Sequence, residues 1–158
     1  MFVWPQPDAE ALASNYGPGY YVFHEPPARR WARAVQVYLN HLLPLEGRTG
    51  RRLLEVGCAG GHLLALARAR GWEVQGVELS AEAAAAAHQE FGLEVFAGTI
   101  DSFVTGMAAE PFDMAVAVDV LEHVPSPLTF LRCLRRQVRP GGWLAVETPN
   151  WGGRWRRL

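Results

Sequence analysis

Apolar residues follow two patterns along the chain, short runs typical of strands and the spacing typical of helices. These patterns alternate, which predicts a sheet whose strands are joined by helices. Short apolar runs, typical of strands, occur at 52–56, 73–78, 93–96, 112–118 and 143–147. Between them, helical spacing or helix-favouring residues occupy 60–70, 81–91, 101–107 and 127–138. Because strands that alternate with helices form parallel sheets, the pattern predicts an α/β, doubly wound fold of about five strands with helices on both faces.

The regions outside this alternation predict one domain over residues 1–158, in three parts. Residues 1–26 are rich in Pro, Gly and Tyr and are expected to form an arm that folds over the core. Apolar residues at helical spacing predict a leading helix over 27–44, which Pro44 ends. Residues 51–150 then form the alternating core.

A glycine-rich turn follows the first predicted strand, and the second strand ends in an acid. The turn reads Glu55-Val56-Gly57-Cys58-Ala59-Gly60-Gly61-His62, and the acid is Glu78. A glycine lets a ligand approach the backbone closely because it has no Cβ. An acid at the end of the next strand accepts hydrogen bonds from the hydroxyls of a ribose. The pattern therefore predicts a nucleoside-containing cofactor.

Composition and spacing exclude several other classes of protein. The glycines at 57, 60 and 61 do not fit the dinucleotide spacing, and the absence of lysine rules out the Walker phosphate loop. A net charge of −1 with interspersed charges gives no nucleic-acid footprint. No apolar run approaches the length of a membrane span. Cys58 and Cys133, in apolar surroundings, are expected to be reduced packing residues of a cytoplasmic protein.

The turn resembles motif I of the class I S-adenosylmethionine (SAM)-dependent methyltransferases, acid-x-G-x-G-x-G. Glu55, Gly57, Ala59 and Gly61 fill its four positions, with alanine in place of the middle glycine. The resemblance implies a Rossmann-like fold, SAM as cofactor and S-adenosylhomocysteine as product. SAM carries a sulfonium and an ammonium group and no phosphate, so an acid in the turn suits its charge.

The resemblance also implies which residues bind the cofactor. They lie in the turn, after the second, third and fourth strands, and in the N-terminal arm: Glu55, Gly57, Cys58, Ala59, Gly61, His62, Glu78, Leu79, Thr99, Ile100, Asp101, Asp119 and Tyr21. Two interpretations of Asp101 stay open. It either reads the edge of adenine or caps the short helix that follows it.

The string Leu121-Glu122-His123-Val124-Pro125 resembles the ubiquinone-biosynthesis O-methyltransferases and their small-molecule relatives. It follows the fourth strand, where ligands bind in open α/β sheets. The resemblance implies that His123 and Asp119 are catalytic, with His123 as a general base for a hydroxyl proton. Two alternatives stay open. Asp119, Glu122 and His123 bind a divalent cation, or Glu122 and His123 only brace the loop.

The implied function is methyl transfer from SAM to a small molecule, at a hydroxyl oxygen. The resemblance covers about residues 27–150, and the family continues beyond the fifth strand with a helix and an antiparallel pair of strands. The sequence stops at 158, so it is expected to be a fragment or a homodimer that completes its sheet. The alternatives are a non-catalytic module that binds SAM or a nucleoside, and a nicotinamide oxidoreductase, which the glycine spacing disfavours.

Overall fold

The computed structural model describes residues 25–48, 50–106 and 110–149, so most of the N-terminal arm lies outside the described residues. Five strands and five α-helices alternate along this part of the chain. In chain order they are α1 Pro27–Val37, β1 Arg52–Val56, α2 His62–Ala69, β2 Glu73–Glu78, α3 Ala81–Phe91, β3 Val95–Ala97, α4 Ile100–Gly106, β4 Phe112–Val118, α5 Pro127–Gln137 and β5 Val138–Glu147.

The strands form one sheet in the order β3-β2-β1-β4-β5, and every pair is parallel. The chain therefore winds outward from β1 to β3, crosses back to β4, and winds outward again to β5. This confirms the predicted α/β, Rossmann-like doubly wound fold. The winding direction reverses between β1 and β4, and open α/β sheets bind ligands beyond the carboxyl ends of the strands at such a point.

The core has a layer on each face of the sheet, and β4 contributes to both. Met114 and Val116 pack with buried residues of α1, α2 and α3, whereas Ala115 and Ala117 pack with α4 and α5. Six of the seven residues of β4 are buried, as its near-continuous apolar run predicts for a strand covered on both faces. Both faces of the sheet therefore hold helices at fixed positions around the strand ends.

The boundaries of α3 follow from local signals in the sequence. The hydroxyl of Ser80 accepts a hydrogen bond of 3.3 Å from the backbone N–H of Ala83, which satisfies a donor of the first turn. Gly92 ends the helix with φ +61°, a left-handed conformation that glycine adopts without a Cβ penalty. The helix therefore has the bounds 81–91 that its sequence pattern predicted.

The leading helix differs from the single helix expected over 27–44. The α-helix ends at Val37 and continues as a π-helical turn over Tyr38–Leu42 and a 3₁₀ turn over Leu43–Leu45. The backbone N–H of Leu43 donates to the carbonyl of Tyr38, which is the i→i+5 bond of a π-turn. Pro44 explains the change, because a proline has no N–H to donate and its ring clashes with the carbonyl four residues earlier in an α-helix.

The fifth strand begins earlier than the predicted start at Trp143. Phe112 of β4 pairs with Val138, and Met114 pairs with Trp143, so the intervening residues of β5 form an irregular loop within the strand. Gly141 in this loop has φ +77°, and a Cβ on Gly142 would lie 2.7 Å from the carbonyl oxygen of Asp113. The sequence Pro140-Gly141-Gly142 thus forms a turn inside the strand. The sheet tolerates this insertion because β5 is an edge strand of the described sheet and pairs with β4 alone.

Candidate functional site

A cavity of about 360 Å³ lies at the carboxyl ends of the strands, where the winding direction of the sheet reverses. Its walls come from α1, the turn after β1, the end of β2, the start of α4, the loop after β4 and the first turn of α5. The volume is in the range of small-molecule sites. Most of the predicted cofactor residues thus gather around one cavity, although they come from four separate segments of the chain.

The glycine-rich turn forms the floor of this cavity and is held tightly. The N–H of Gly57 donates to the carbonyl of Val77 at 2.8 Å, and a Cβ on Gly57 would lie 2.3 Å from Cγ2 of Val120. Ala59 has φ +47°, so it adopts the left-handed conformation although it carries a side chain. The turn keeps its shape with alanine here at a cost of roughly 1–2 kcal/mol.

Gly61 does not line the cavity and instead lies at a close contact between helices. It precedes the first residue of α2 with φ +75°. A Cβ on Gly61 would lie 2.7 Å from Cδ1 of Leu93 and 3.0 Å from Cβ of Ala87. The missing side chain therefore allows α2 to begin against α3 and the segment that follows it.

Glu78 joins the turn to the helix after β2. Its Oε2 accepts a hydrogen bond of 2.8 Å from the N–H of Ala59, and its Oε1 accepts one of 2.9 Å from the N–H of Ser80. The side chain is buried, and burial raises the pKa of the carboxyl against the opposing effect of the backbone N–H groups. The predicted ribose acid thus also holds the turn in place.

Glu55 lies beside Glu78 and has an unsatisfied oxygen. The residue is 8% exposed, and its Oε2 has no hydrogen-bond partner among the described residues. Burial, followed by the charge of Glu78, raises the pKa of Glu55 to about 8, with Arg33 opposing the shift. A buried acceptor without a partner costs free energy, and a cation entering the cavity would satisfy it.

Two arginines of α1, Arg30 and Arg33, line the cavity and are not among the residues predicted from the sequence. Arg33 forms an ion pair with Asp119, whose backbone has φ +52° and whose N–H donates to the carbonyl of Glu147 at 2.9 Å. Arg30 lines the cavity near His62, and its Nε is buried without a partner among the described residues. Helical spacing places Arg30 on the same inner face of α1 as Ala34 and Val37. Arg30 could therefore have been predicted from the sequence.

His62 begins α2 and is buried among aromatic rings. Its ring lies edge-on to Trp31 at 5.0 Å and to Phe91 at 5.1 Å between ring centroids. Burial, and then the charge of Arg30, lowers the pKa of the imidazole, so it is neutral at pH 7. The cluster attaches α1 to α2 and α3, which places the arginines of α1 over the cavity.

The segment after β3 settles one of the open interpretations. Thr99 is the cap of α4: its carbonyl accepts from the N–H of Phe103 at 3.0 Å, and its hydroxyl accepts from the N–H of Ser102 at 3.2 Å. Asp101 is the second residue of α4, so the interpretation that it caps this helix is wrong. Its carboxylate instead accepts a hydrogen bond from the thiol of Cys133 of α5.

His123 lines the cavity, whereas Glu122 lies behind it. The His123 side chain is 47% exposed, and its Nε2 is 3.9 Å from Oε1 of the buried Glu122. Oε2 of Glu122 accepts a hydrogen bond of 3.0 Å from the hydroxyl of Thr148. Asp119 pairs with Arg33, and nowhere in 25–48, 50–106 or 110–149 do three or more His, Cys, Asp or Glu side chains form a metal-binding group. The structure therefore does not assemble the Asp119–Glu122–His123 cation site.

Most of the predicted cofactor and catalytic residues line the cavity. They are Glu55, Gly57, Cys58, Ala59, His62, Glu78, Leu79, Thr99, Ile100, Asp101, Asp119 and His123. Tyr21 lies outside the described residues. Further lining residues that the sequence analysis missed come from the start of α5 and the residues before it, namely Val124, Pro125, Ser126, Thr129 and Phe130. These residues could have been predicted from the sequence because they follow His123 closely.

No helix among the described residues is both apolar and long enough to cross a membrane.

Comparison with known proteins identifies related sequences and folds. A family model for a methyltransferase domain matches residues 21–158. The ubiquinone biosynthesis O-methyltransferase of Paraburkholderia phymatum is 39% identical over 107 residues, which are 65% of this chain and 46% of that protein. This chain therefore spans about half the length of the curated relatives that it matches.

Two solved structures share the fold at low sequence identity. A SAM-dependent methyltransferase from Archaeoglobus fulgidus matches with a TM-score of 0.71 and 21% identity, over 86% of this chain and 61% of that one. The SAM-bound amino pentose methyltransferase CalS10 from Micromonospora echinaspora matches with a TM-score of 0.63 and 21% identity, over 84% and 55% of the two chains. These likenesses support the architecture around the cavity.

Proposed function

The chain belongs to the class I SAM-dependent methyltransferase family, and from this premise we propose that its cavity binds SAM for methyl transfer to a hydroxyl of a small molecule. The observation that carries the proposal is the buried, unpartnered Oε2 of Glu55 beside the glycine-rich turn. An acid at this place accepts a hydrogen bond from an ammonium group. The pyrophosphate of a nicotinamide cofactor would disfavour the ionised form of Glu55 and has no hydrogen-bond donor for Oε2, so the residues present fit SAM better than a dinucleotide.

From β1 to β2 to β3, the charged side chains at the cavity suit successive groups of SAM, from the methionine moiety through the ribose to the adenine. Glu55 in β1 suits the ammonium group, and the guanidinium groups of Arg30 and Arg33 suit the carboxylate of the same methionine moiety. Glu78, at the end of neighbouring β2, suits the ribose hydroxyls. Asp101 follows β3, one strand further along, and suits the amino group of adenine.

The protein has little covalent chemistry to do in such a reaction. SAM supplies a methyl group that is already activated by the sulfonium. The chain aligns the acceptor with that methyl group and excludes water, and the apolar walls of the cavity serve this purpose. His123 lines the cavity with an exposed side chain, so we assign it the role of taking the hydroxyl proton. Glu122, held by Thr148, braces the loop that carries His123.

The acceptor is proposed only as a class, a hydroxylated small molecule. The matched relative from P. phymatum is named for ubiquinone biosynthesis and for O-methylation, which supports transfer to oxygen. The structural neighbour CalS10 is named for an amino pentose, so this fold accommodates acceptors of more than one kind.

The test is calorimetry followed by a methyl-transfer screen. S-adenosylhomocysteine is titrated against the wild-type chain and Glu55→Gln, with NAD as the competing ligand class. We expect S-adenosylhomocysteine to bind the wild type and NAD not to bind. Transfer from labelled SAM is then measured with phenols, catechols and sugars, with and without EDTA, and we expect EDTA to have no effect because Asp119 is engaged by Arg33. Cofactor binding without transfer to any acceptor would favour the alternative of a non-catalytic SAM-binding module.

A further inference from the structure

A buried thiol on α5 contacts the carboxylate at one end of the cavity. Sγ of Cys133 lies 3.0 Å from Oδ1 of Asp101, across 32 residues of sequence. Cys133 is 8% exposed, whereas Asp101 is exposed at the cavity wall. Cys133 is predicted from its apolar surroundings to be a packing residue, and the structure adds a polar contact to that role. The contact joins two helices that each line the same end of the cavity.

The direction of this hydrogen bond follows from the protonation state of the thiol. Burial raises the pKa of Cys133, and the hydrogen bond to Asp101 and the charge of that residue raise it further. The thiol therefore keeps its proton at neutral pH and donates it to Oδ1 of Asp101. An aspartate carboxylate rotates readily about its last side-chain bond, so one fixed oxygen also sets the direction of the other.

The other oxygen of Asp101 is available to a ligand. Within residues 25–48, 50–106 and 110–149, the Asp101 carboxylate accepts one hydrogen bond, and Cys133 donates it. The neighbouring cavity wall contains Ile100 before Asp101, and Thr129 and Phe130 on α5. An apolar and aromatic wall beside a single directed acceptor suits a flat heterocycle with an amino group on its edge.

We propose that Cys133 is a positioning residue for base recognition, whose thiol holds Oδ1 of Asp101 so that Oδ2 accepts a hydrogen bond from the 6-amino group of adenine. This inference rests on the proposed SAM function, because it takes the adenine of the cofactor to lie at this end of the cavity. It deepens that function by naming a residue that does not line the cavity as a determinant of cofactor selectivity.

The experiment compares two ligands that differ only at the 6-position of the purine. S-adenosylhomocysteine and its 6-deamino analogue, with hydrogen in place of the amino group, are titrated by calorimetry against the wild-type chain. We expect the wild type to prefer S-adenosylhomocysteine by roughly tenfold, as for a hydrogen bond to a charged group. Cys133→Ala and Cys133→Val lack the donor and should reduce this preference to about threefold or less, since the carboxylate is no longer held. Cys133→Ser retains a donor and should restore the preference.

Two control variants separate positioning from packing. Leu134→Ala removes a fully buried side chain from the same helix without touching Asp101, so it should lower the melting temperature and leave the ligand preference unchanged. Asp101→Ala should abolish the preference. Cys133→Val leaves no cavity at the site of the thiol, so it provides a second variant without the donor if the alanine variant does not fold.

The outcomes distinguish this inference from the proposed function. If the wild type does not bind S-adenosylhomocysteine, the proposed function fails and the inference fails with it. If the wild type binds with a preference for adenine that Cys133→Ala and Cys133→Val retain, the role of Cys133 is refuted and the proposed function stands. If Asp101→Ala also retains the preference, base recognition lies elsewhere and the inference is overturned.

Discussion

Oε2 of Glu78, the last residue of β2, accepts a hydrogen bond of 2.8 Å from the backbone N–H of Ala59 in the glycine-rich turn. This contact joins the two sequence features that indicated a cofactor, and its partner bond from the N–H of Ser80 extends the link to α3. The same carboxylate thus shapes the turn and faces the cavity. Under the proposed function, stability and cofactor binding are therefore coupled at this residue.

Glu78→Gln is expected to weaken both properties. An amide in place of the carboxylate leaves one backbone donor without its acceptor, so we predict a loss of roughly 1–3 kcal/mol in the free energy of unfolding. We also predict a Kd for S-adenosylhomocysteine about tenfold higher. Chemical denaturation and calorimetry measure the two effects. Glu73→Gln, in the exposed first residue of the same strand, is the control, and equal behaviour of the two variants would refute the role of Glu78.

Glu55 is expected to make the unliganded protein less stable as the pH rises. Its pKa in the folded chain is about 8, above the ordinary value of 4.5, so the folded state retains the proton when the unfolded state has lost it. Stability therefore falls as the pH increases from about 4.5 to about 8. Glu55→Gln cannot ionise, so it should be more stable than the wild type by about 3 kcal/mol near neutral pH.

Denaturation curves between pH 5 and pH 8 check this prediction on the ligand-free chain. The variant should gain stability relative to the wild type throughout this interval while losing affinity for S-adenosylhomocysteine. A constant difference in stability across the interval would show that Glu55 ionises normally in the folded chain.

Arg33→Ala is expected to affect the ligand more than the fold. The Arg33 and Asp119 side chains are 49% and 36% exposed, so their ion pair should contribute less than about 1 kcal/mol to stability. If Arg33 binds the carboxylate of the cofactor, its removal should raise the Kd for S-adenosylhomocysteine by roughly tenfold. Arg29→Ala, on the exposed side of the same helix, is the matched control. An unchanged Kd in Arg33→Ala would remove Arg33 from the site.

His123→Ala is expected to lower kcat without weakening cofactor binding. A general base contributes roughly 100-fold or more to the rate, whereas the Kd for S-adenosylhomocysteine should stay within about twofold. Steady-state kinetics on an acceptor from the screen, together with calorimetry, separates these effects. His88→Ala, with a 63% exposed side chain on α3, serves as the control. Full activity in His123→Ala would leave the residue only a bracing role.

The elements that were predicted well from the sequence are determined by residues that lie close together in the chain. The bounds of β1, β2 and β4 agree with the runs marked in the sequence, and β4, which helices cover on both faces, is apolar at all but one position. Ser80 and Gly92 mark the ends of α3 through bonds that span only a few residues. The shape of the turn also follows locally, from glycines at 57 and 61 that have positive φ.

The features that the sequence did not predict are long-range contacts. Arg33 meets Asp119 only after the sheet brings α1 over the end of β4, and no local pattern announces that pairing. Cys133 reaches Asp101 in the same way, from another helix. The π-helical turn over Tyr38–Leu42 was missed for another reason, because apolar spacing does not distinguish it from an α-helix.

Calorimetry of SAM binding to the wild-type chain and to Glu55→Gln at pH 7, in buffers of different ionisation enthalpy, tests whether Glu55 binds the cofactor. We expect SAM to bind one to one and the wild type to release protons on binding, because the cation holds Glu55 in its ionised form. In Glu55→Gln, the affinity should fall by roughly tenfold and the proton release should disappear. Equal affinities and equal proton release in the two chains would contradict the central claim that Glu55 receives the cofactor.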